Sequence, residues 1–304
     1  MNAGTSAGLP RGLQNALSRR VQELWGPDLS IAGVRPVSGG DINEAACLTL
    51  SDGRRLFLKY NPNPLPRLFE VEARGLSLLK GTQTVRVPEV YGVGEATEEH
   101  PAFLLLEWIE PDSSRSPEVL REFGRRLARM HRCSWGFYGL DHDNYIGSLP
   151  QRNTPTRSWV EFYREHRLGA QMERALQGGR LPAKRRERLE RLLERLDDVI
   201  DDAIVKPSLL HGDLWGGNFL LSGGEAVLID PAVYYGDREI ELAFTELFGG
   251  FPPEFYEGYN EVWPLDPGYE ERKPLYQLYP LLVHLNLFGE GYGPSVDRVL
   301  QRYV

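Results

Sequence analysis

Three acidic or amide side chains in one stretch of this chain, Asp213, Asn218 and Asp230, have the types and spacing to move a phosphoryl group onto a hydroxyl. Such a transfer needs a carboxylate that orients the acceptor and takes its proton, and oxygen ligands that hold Mg2+ against nucleotide phosphates. Asp213, within His211-Gly212-Asp213, suits the first role. Asn218, five residues further on, and Asp230, which closes an apolar strand-like run before Pro231, suit the second. A rigid hairpin between Asn218 and Asp230 would set both ligands on one side of a cleft. A lone Asp is ordinarily a cap or a surface residue, so the combination carries the reading.

A lysine ending an apolar strand needs a partner if it is buried, and a nucleotide phosphate with a helix carboxylate would supply one. Lys59 follows Arg55-Leu56-Phe57-Leu58 in this way, and the helix expected to begin near Leu68 offers Glu70 and Glu72. From the residues alone both stay open, Glu70 also suiting an exposed first-turn acid that interacts with the helix dipole. Ahead of Lys59, Ser38-Gly39-Gly40-Asp41-Ile42-Asn43 could bring backbone N–H groups close to phosphates, although two glycines between strands are commonly just a turn. The apolar run 103–106 leads into Glu107, Trp108 and Ile109, where a backbone hinge could pair with adenine.

The elements that must position these residues change character along the chain. Residues 9–25 read as an amphipathic helix closed by Gly26-Pro27. Strand-like segments follow at 31–36, 44–50 and 55–60, then a helix over 68–79 and two more strands at 87–94 and 102–108. From Ser116 onward helices dominate, with 117–131, 159–176 and a long charged helix over 183–202 read as a solvated face. Two short strands, 218–221 and 226–229, flank a Ser222-Gly223-Gly224 turn. The expectation is an α+β, bilobal fold. An N-lobe over residues 1–107 holds a helix, a five-stranded antiparallel sheet, the phosphate loop and the Lys/Glu pair, and a larger, mainly helical C-lobe spans 108–304.

Composition narrows the function classes. A formal net charge of −8 over 304 residues disfavours nucleic-acid binding, which needs a basic surface. No run approaches the roughly 18 apolar residues of a membrane helix, and the first ten residues lack the pattern of a signal peptide. With two cysteines, Cys47 and Cys133, a disulfide framework is not expected and a cytoplasmic setting is.

Taken together, these residues resemble the fructosamine/ketosamine-3-kinase family, within the aminoglycoside-phosphotransferase and choline-kinase branch of protein-kinase-like folds. The resemblance rests on His211-Gly212-Asp213-Leu214-Trp215-Gly216-Gly217-Asn218, in which Trp215 is the distinguishing residue, and on Asp230-Pro231-Ala232 with Tyr235-Gly236 and Arg238-Glu239. Asn144-Tyr145-Ile146-Gly147-Ser148, Trp159, Phe162, Arg167, Phe69 with Glu72, and His284-Leu285-Asn286 add to it. It implies ATP- and Mg2+-dependent phosphorylation of the sugar O3 of ketosamines such as ribulosamine, erythrulosamine or fructosamine, free or carried on protein, and hence deglycation repair. It also implies that Asp213 serves as base, that Asn218 and Asp230 hold the metal, and that Lys59 with Glu72, Ser38, Gly39, Gly40, Glu107, Trp108 and Ile109 serve the nucleotide. Trp215 and His284 would face the acceptor. Asp41 stands where some members carry a loop cysteine, which argues against a redox switch there. Asp237 stands where many carry His, and is read as a helix cap. Rival readings are a kinase for another small alcohol or amine and a silent nucleotide-binding module; oligomeric state is left open.

Overall fold

The computed structural model describes residues 8–38, 43–112 and 115–304. Its contacts form two compact units, one running through residue 78 together with Val87–Pro111, the other comprising Leu79–Arg86 and Asp112–Val304.

In the first unit, helix α1 (Arg11–Trp25) precedes strands β1 (Ile31–Val37), β2 (Glu44–Leu50) and β3 (Arg55–Asn61). Helix α2 (Leu68–Gly81), β4 (Val90–Gly94) and β5 (Ala102–Glu107) follow. The five strands form one antiparallel sheet in the order β1-β2-β3-β5-β4. Side chains alternate faces along a strand. Leu48, Leu50, Leu56, Leu58, Phe103 and Leu105 therefore bury one face against Leu13, Leu17 and Val21 of α1. Lys59, opposite Ala45 on one side and Leu104 on the other, necessarily points to the face away from α1.

The second unit contains α3 (Pro117–His131), whose Ser116 cap accepts from Val119 N–H at 3.3 Å. A small hairpin, β6 (Asn144–Ile146) with β7 (Leu149–Gln151), leads to α4 (Trp159–Phe162), a π-helical turn (Tyr163–Gly169) and α5 (Ala170–Gln177). Then come α6 (Ala183–Glu194), β8 (Ser208–Leu210), the hairpin β9 (Phe219–Ser222) and β10 (Glu225–Leu228), and β11 (Tyr234–Gly236). Helices α7 (Arg238–Thr245), α8 (Pro253–Val262), α9 (Tyr269–Phe288) and α10 (Gly293–Tyr303) complete the unit. Its core joins Trp159, Phe162 and Tyr163 to Tyr234, Tyr276 and Tyr279.

Two helical expectations need correction. The helix over 159–176 is interrupted by the π turn, which carries the fully buried Arg167. The charged helix over 183–202 stops at Glu194, and its solvated face, with Lys184, Arg186, Glu187 and Arg191 exposed, backs onto a buried stripe. Leu189 and Leu192 are buried, and so is Arg185, whose guanidinium is held by Glu290 and Asp297. Asp202, beyond the helix, instead accepts from Trp159 and Val160 N–H at 2.7 and 3.0 Å, completing the start of α4.

Candidate active site

In the first unit Lys59 is buried, and its Nζ donates to Glu72 Oε1 at 2.7 Å. The reason lies in α2: Phe69, Glu72 and Leu76 share the i, i+3, i+7 face, on which Phe69 and Leu76 are buried. Glu70 lies off that face and forks with the Arg67 guanidinium at 2.6 and 2.8 Å. Of the two acids open to Lys59 in the sequence, Glu72 is thus its carboxylate. Ser38 is exposed just beyond β1, while Gly39 and Gly40 lie outside the described residues, as does Asp41. At the end of β5, Glu107 N–H donates to Glu89 O at 2.8 Å. Trp108 donates its indole N–H to Glu110 at 2.9 Å beneath the guanidiniums of Arg35 and Arg55, each 5.6 Å from its ring, and Ile109 is buried.

In the second unit, topology forces two loops together. Strand β8 pairs with β11 and β9 pairs with β10. The loop 211–218 runs from β8 to β9, and the loop 229–233 runs from β10 to β11. Both therefore connect the same two ladders and lie side by side. Backbone and ring bonds lace them: Ala232 N–H to His211 O at 2.8 Å, Ile229 N–H to Asn218 O at 3.0 Å, and His211 Nε2 to Ile229 O at 2.8 Å. Because Ile229 O only accepts, His211 carries its proton on Nε2, and its Nδ1 accepts from Asp213 N–H at 3.3 Å. Burial pushes the His211 pKa down, which suits this neutral tautomer. Gly212, at φ +85°, is required here, since a Cβ would stand 2.0 Å from Ala232 O.

Asn218 Nδ2 donates to Asp213 O at 2.7 Å and to Asp213 Oδ2 at 3.0 Å, so the catalytic-type carboxylate is held from one side by the predicted metal ligand. Burial, with Asp230 and Glu241 nearby, pushes the Asp213 carboxyl up to about 7 against the hydrogen bond from Asn218. Asp230 follows β10 with φ +56°, a left-handed backbone that Asp tolerates better than most residues. The donor chemistry fits a hard cation. With its Nδ2 committed to Asp213, Asn218 has Oδ1 as its remaining group, and Asp230 offers carboxylate oxygens. Among the described residues no three His, Cys, Asp or Glu side chains gather into a closed cage. An amide oxygen and a carboxylate are the kind of donors that Mg2+ takes from protein, with phosphates and water completing its shell.

Trp215 is 41% exposed, which excludes core packing for this ring. Its indole lies over Gly217, where a Cβ would fall 2.4 Å from the ring. His284 donates Nδ1–H to Pro280 O at 2.8 Å and packs among Phe244, Phe248, Phe288 and Tyr292; burial pushes its pKa down. Asp237 caps α7 by accepting from Glu239 N–H at 3.0 Å, and also accepts from Tyr276 O–H at 2.5 Å.

One buried acid escaped sequence reasoning. Glu241 Oε1 accepts from Gly212 N–H at 2.7 Å, and its Oε2 accepts from His211 N–H at 3.1 Å and from His131 Nε2 at 2.8 Å. Burial raises its pKa, but the hydrogen bond and charge of His131 outweigh that and hold it below the usual range. The only available signal was an acid in the wholly apolar-compatible segment Ile240-Glu241-Leu242-Ala243-Phe244.

The arrangement matches known proteins over nearly its whole length. The family model described as fructosamine kinase covers residues 13–304. A probable ketoamine kinase of Enterococcus faecium is 41% identical over 278 residues, spanning 91% of this chain and 97% of the relative. A chloroplastic protein-ribulosamine 3-kinase of Oryza sativa subsp. japonica is 41% identical, spanning 92% and 81%. The crystal structure of a candidate fructosamine-3-kinase of Haemophilus somnus superposes with TM-score 0.85 at 31% identity, covering 95% and 96%. The aminoglycoside phosphotransferase APH(4)-Ia, at TM-score 0.60 and 16% identity over 94% and 96%, shares the fold alone. The α+β kinase-like fold expected from the sequence is the fold of this chain. No helix among the described residues is long and apolar enough to cross a membrane.

Proposed function

Because this chain belongs to the fructosamine kinase family, we propose that it transfers the γ-phosphoryl group of ATP to the sugar O3 of ketosamines, free or protein-bound. Ribulosamine, erythrulosamine and fructosamine are the acceptors considered, and deglycation repair in the cytoplasm is the role. The observation that carries this reading is the Asp213 carboxylate, fixed by Asn218 Nδ2 at 3.0 Å beside Asp230 in a loop laced to its neighbour by backbone bonds.

Asp213 accepts the hydrogen bond of the acceptor O3–H and takes its proton as the O3–P bond forms and the bond to the ADP leaving oxygen breaks. A carboxyl pushed up to about 7 by burial has the proton affinity that a general base near neutral pH needs. Asn218 Oδ1 and Asp230 would hold Mg2+, which when bound neutralises charge on the nucleotide phosphates. The family resemblance assigns Lys59, held by Glu72, to the nucleotide phosphates with Ser38, Gly39 and Gly40, and Glu107, Trp108 and Ile109 to adenine. The exposed Trp215 ring offers a face to a sugar or to its protonated amine. His284, with Nδ1–H spent on Pro280 O, keeps Nε2 as an acceptor for a sugar hydroxyl.

Purified protein given ATP, Mg2+ and synthetic ribulosamine, erythrulosamine or fructosamine should phosphorylate at least one of them. Asp213→Asn should lower that transfer about a hundred- to ten-thousandfold while nucleotide binding persists. Near-normal turnover by Asp213→Asn would refute the base role. ATP consumption with aminoglycosides or choline but none of the three ketosamines would refute the acceptor class.

A further inference from the structure

Several motif residues have no part in the chemistry above, and they converge behind the loop that follows Asp230. In the β6–β7 hairpin Asn144 and Gln151 are cross-strand partners, and both are buried. Asn144 Nδ2 donates to Val233 O at 2.8 Å, and Gln151 Nε2 donates to Ala232 O at 3.1 Å and to Asn144 Oδ1 at 2.8 Å. The amides are themselves fixed. Tyr279 O–H donates to Gln151 Oε1 at 2.6 Å, and Asn153 Nδ2 donates to Asn144 Oδ1 at 2.9 Å. Arg167, from the π turn, donates to Asn153 Oδ1 at 2.8 Å while its guanidinium lies 3.8 Å over the Tyr234 ring.

The clamp acts on a short, stiff lever. Ala232 has its N–H on His211 O and its carbonyl against Gly212, in contact with the catalytic-type loop. Between Ala232 and Asp230 stands only Pro231, whose ring fixes φ. With Ala232 and Val233 oriented by amides and φ fixed at Pro231, few backbone torsions are left between the clamp and Asp230, so the direction of Asp230 depends on the clamp. The clamp's contacts with the loop are amide donors, which orient carbonyls without placing a charge beside the two carboxylates.

We infer that Asn144 and Gln151, backed by Asn153, Arg167 and Tyr279, are positioning residues that set Asp230 against Asp213 and thereby set affinity for the metal–nucleotide. This rests on the metal role proposed for Asp230. Gln151→Leu removes the donor to Ala232 O at similar size, Gln151→Glu turns it into an acceptor facing a carbonyl, and Tyr279→Phe only loosens Gln151. The probe is Mn2+ with saturating ADP on the full chain, its dissociation constant read by electron paramagnetic resonance. The half-saturating Mg2+ concentration, the acceptor KM and the melting temperature are measured alongside. Gln151→Leu and Gln151→Glu should weaken Mn2+ at least tenfold, with the Mg2+ requirement rising in parallel and the acceptor KM within twofold. Tyr279→Phe should weaken Mn2+ two- to fivefold. Mn2+ affinity within twofold of wild type in folded Gln151→Leu overturns the inference, as do equal losses in Mn2+ affinity and acceptor KM. If the Gln151 variants do not fold, unchanged Mn2+ affinity in Tyr279→Phe overturns it. Wild-type protein that binds no Mn2+–ADP overturns the proposed function as well, whereas tight wild-type binding with unaffected variants overturns this inference alone.

Discussion

Replacing Glu241 with Gln tests how firmly the catalytic-type loop is held from behind. The carboxylate accepts from three donors, and its side chain is 1% exposed. An amide of the same shape has one acceptor and one donor end. If its NH2 takes the Oε1 place, it confronts Gly212 N–H; if it takes the Oε2 place, it confronts His211 N–H. Either way one buried backbone N–H loses its acceptor, at about 1–3 kcal/mol. The remaining bonds also lose the carboxylate's charge, worth roughly a further 1 kcal/mol. A total of about 2–4 kcal/mol corresponds to a fall in melting temperature of roughly 3–6 °C for a chain of this size. Because the released N–H groups belong to the residues just before Asp213, displacement of this proposed base should lower kcat about ten- to a hundredfold. The KM for ATP should stay within about threefold, since Lys59 and Glu72 are untouched. Scanning fluorimetry and coupled ADP release measure both quantities. A Glu241→Gln protein that melts within 1 °C of wild type, with kcat within twofold, refutes the reasoning.

Further outcomes follow from other contacts. Glu72→Gln removes the carboxylate that stands 2.7 Å from buried Lys59 Nζ and should raise the KM for ATP about tenfold or more, whereas Glu70→Gln, which loosens the fork with exposed Arg67, should not; equal effects in steady-state kinetics would contradict the assignment. Trp215→Ala should leave the melting temperature unchanged, because the ring is exposed, yet raise the acceptor KM about three- to tenfold; an unaltered KM removes Trp215 from the acceptor side. Asp237 is buried and its carboxyl is pushed up to about 6, first by burial and then by Glu239. A raised acid keeps its proton in the folded state where the unfolded chain has lost it, so its stability penalty sets in as pH rises from about 4 through 6 and is full above. Asp237→Asn, whose amide can serve both Glu239 N–H and Tyr276, should therefore gain melting temperature on wild type at pH 7.5 and little at pH 4.5. The opposite trend would show that the ionised carboxylate is the favoured partner there.

Where the sequence was legible, the physics was local and periodic. Alternation along Leu56, Leu58 and Tyr60 put Lys59 on the opposite face of β3, whereas Glu70 and Glu72 stayed open until the folded α2 set Glu72 on the face shared with Phe69 and Leu76. The spacing of Asp213 and Asn218 singled out both residues as base and metal ligand, but not the hydrogen bond between them. Glu241 was opaque because its partners are main-chain N–H groups about 30 residues upstream, which no side-chain pattern displays. The pairing of β8 with β11 was equally hidden, since each strand has three residues, too few for a period. In the charged segment over 183–202 the solvated face was legible but its buried arginine was not. An arginine-rich helix normally faces water, but Arg185 brings its own neutralising acids from Glu290 and Asp297, more than 100 positions away.

The left-handed backbone at Asp230 has a consequence for anyone who engineers this kinase. Glycine and asparagine occupy that conformation more comfortably than aspartate, so the position invites substitution on stability grounds. A thermostability campaign scored only on melting would be drawn to residue 230 and would select away the carboxylate on which the proposed metal site depends. The proposed metal role thus sets heat resistance against turnover at this one residue, and libraries built on this scaffold are best screened for both together.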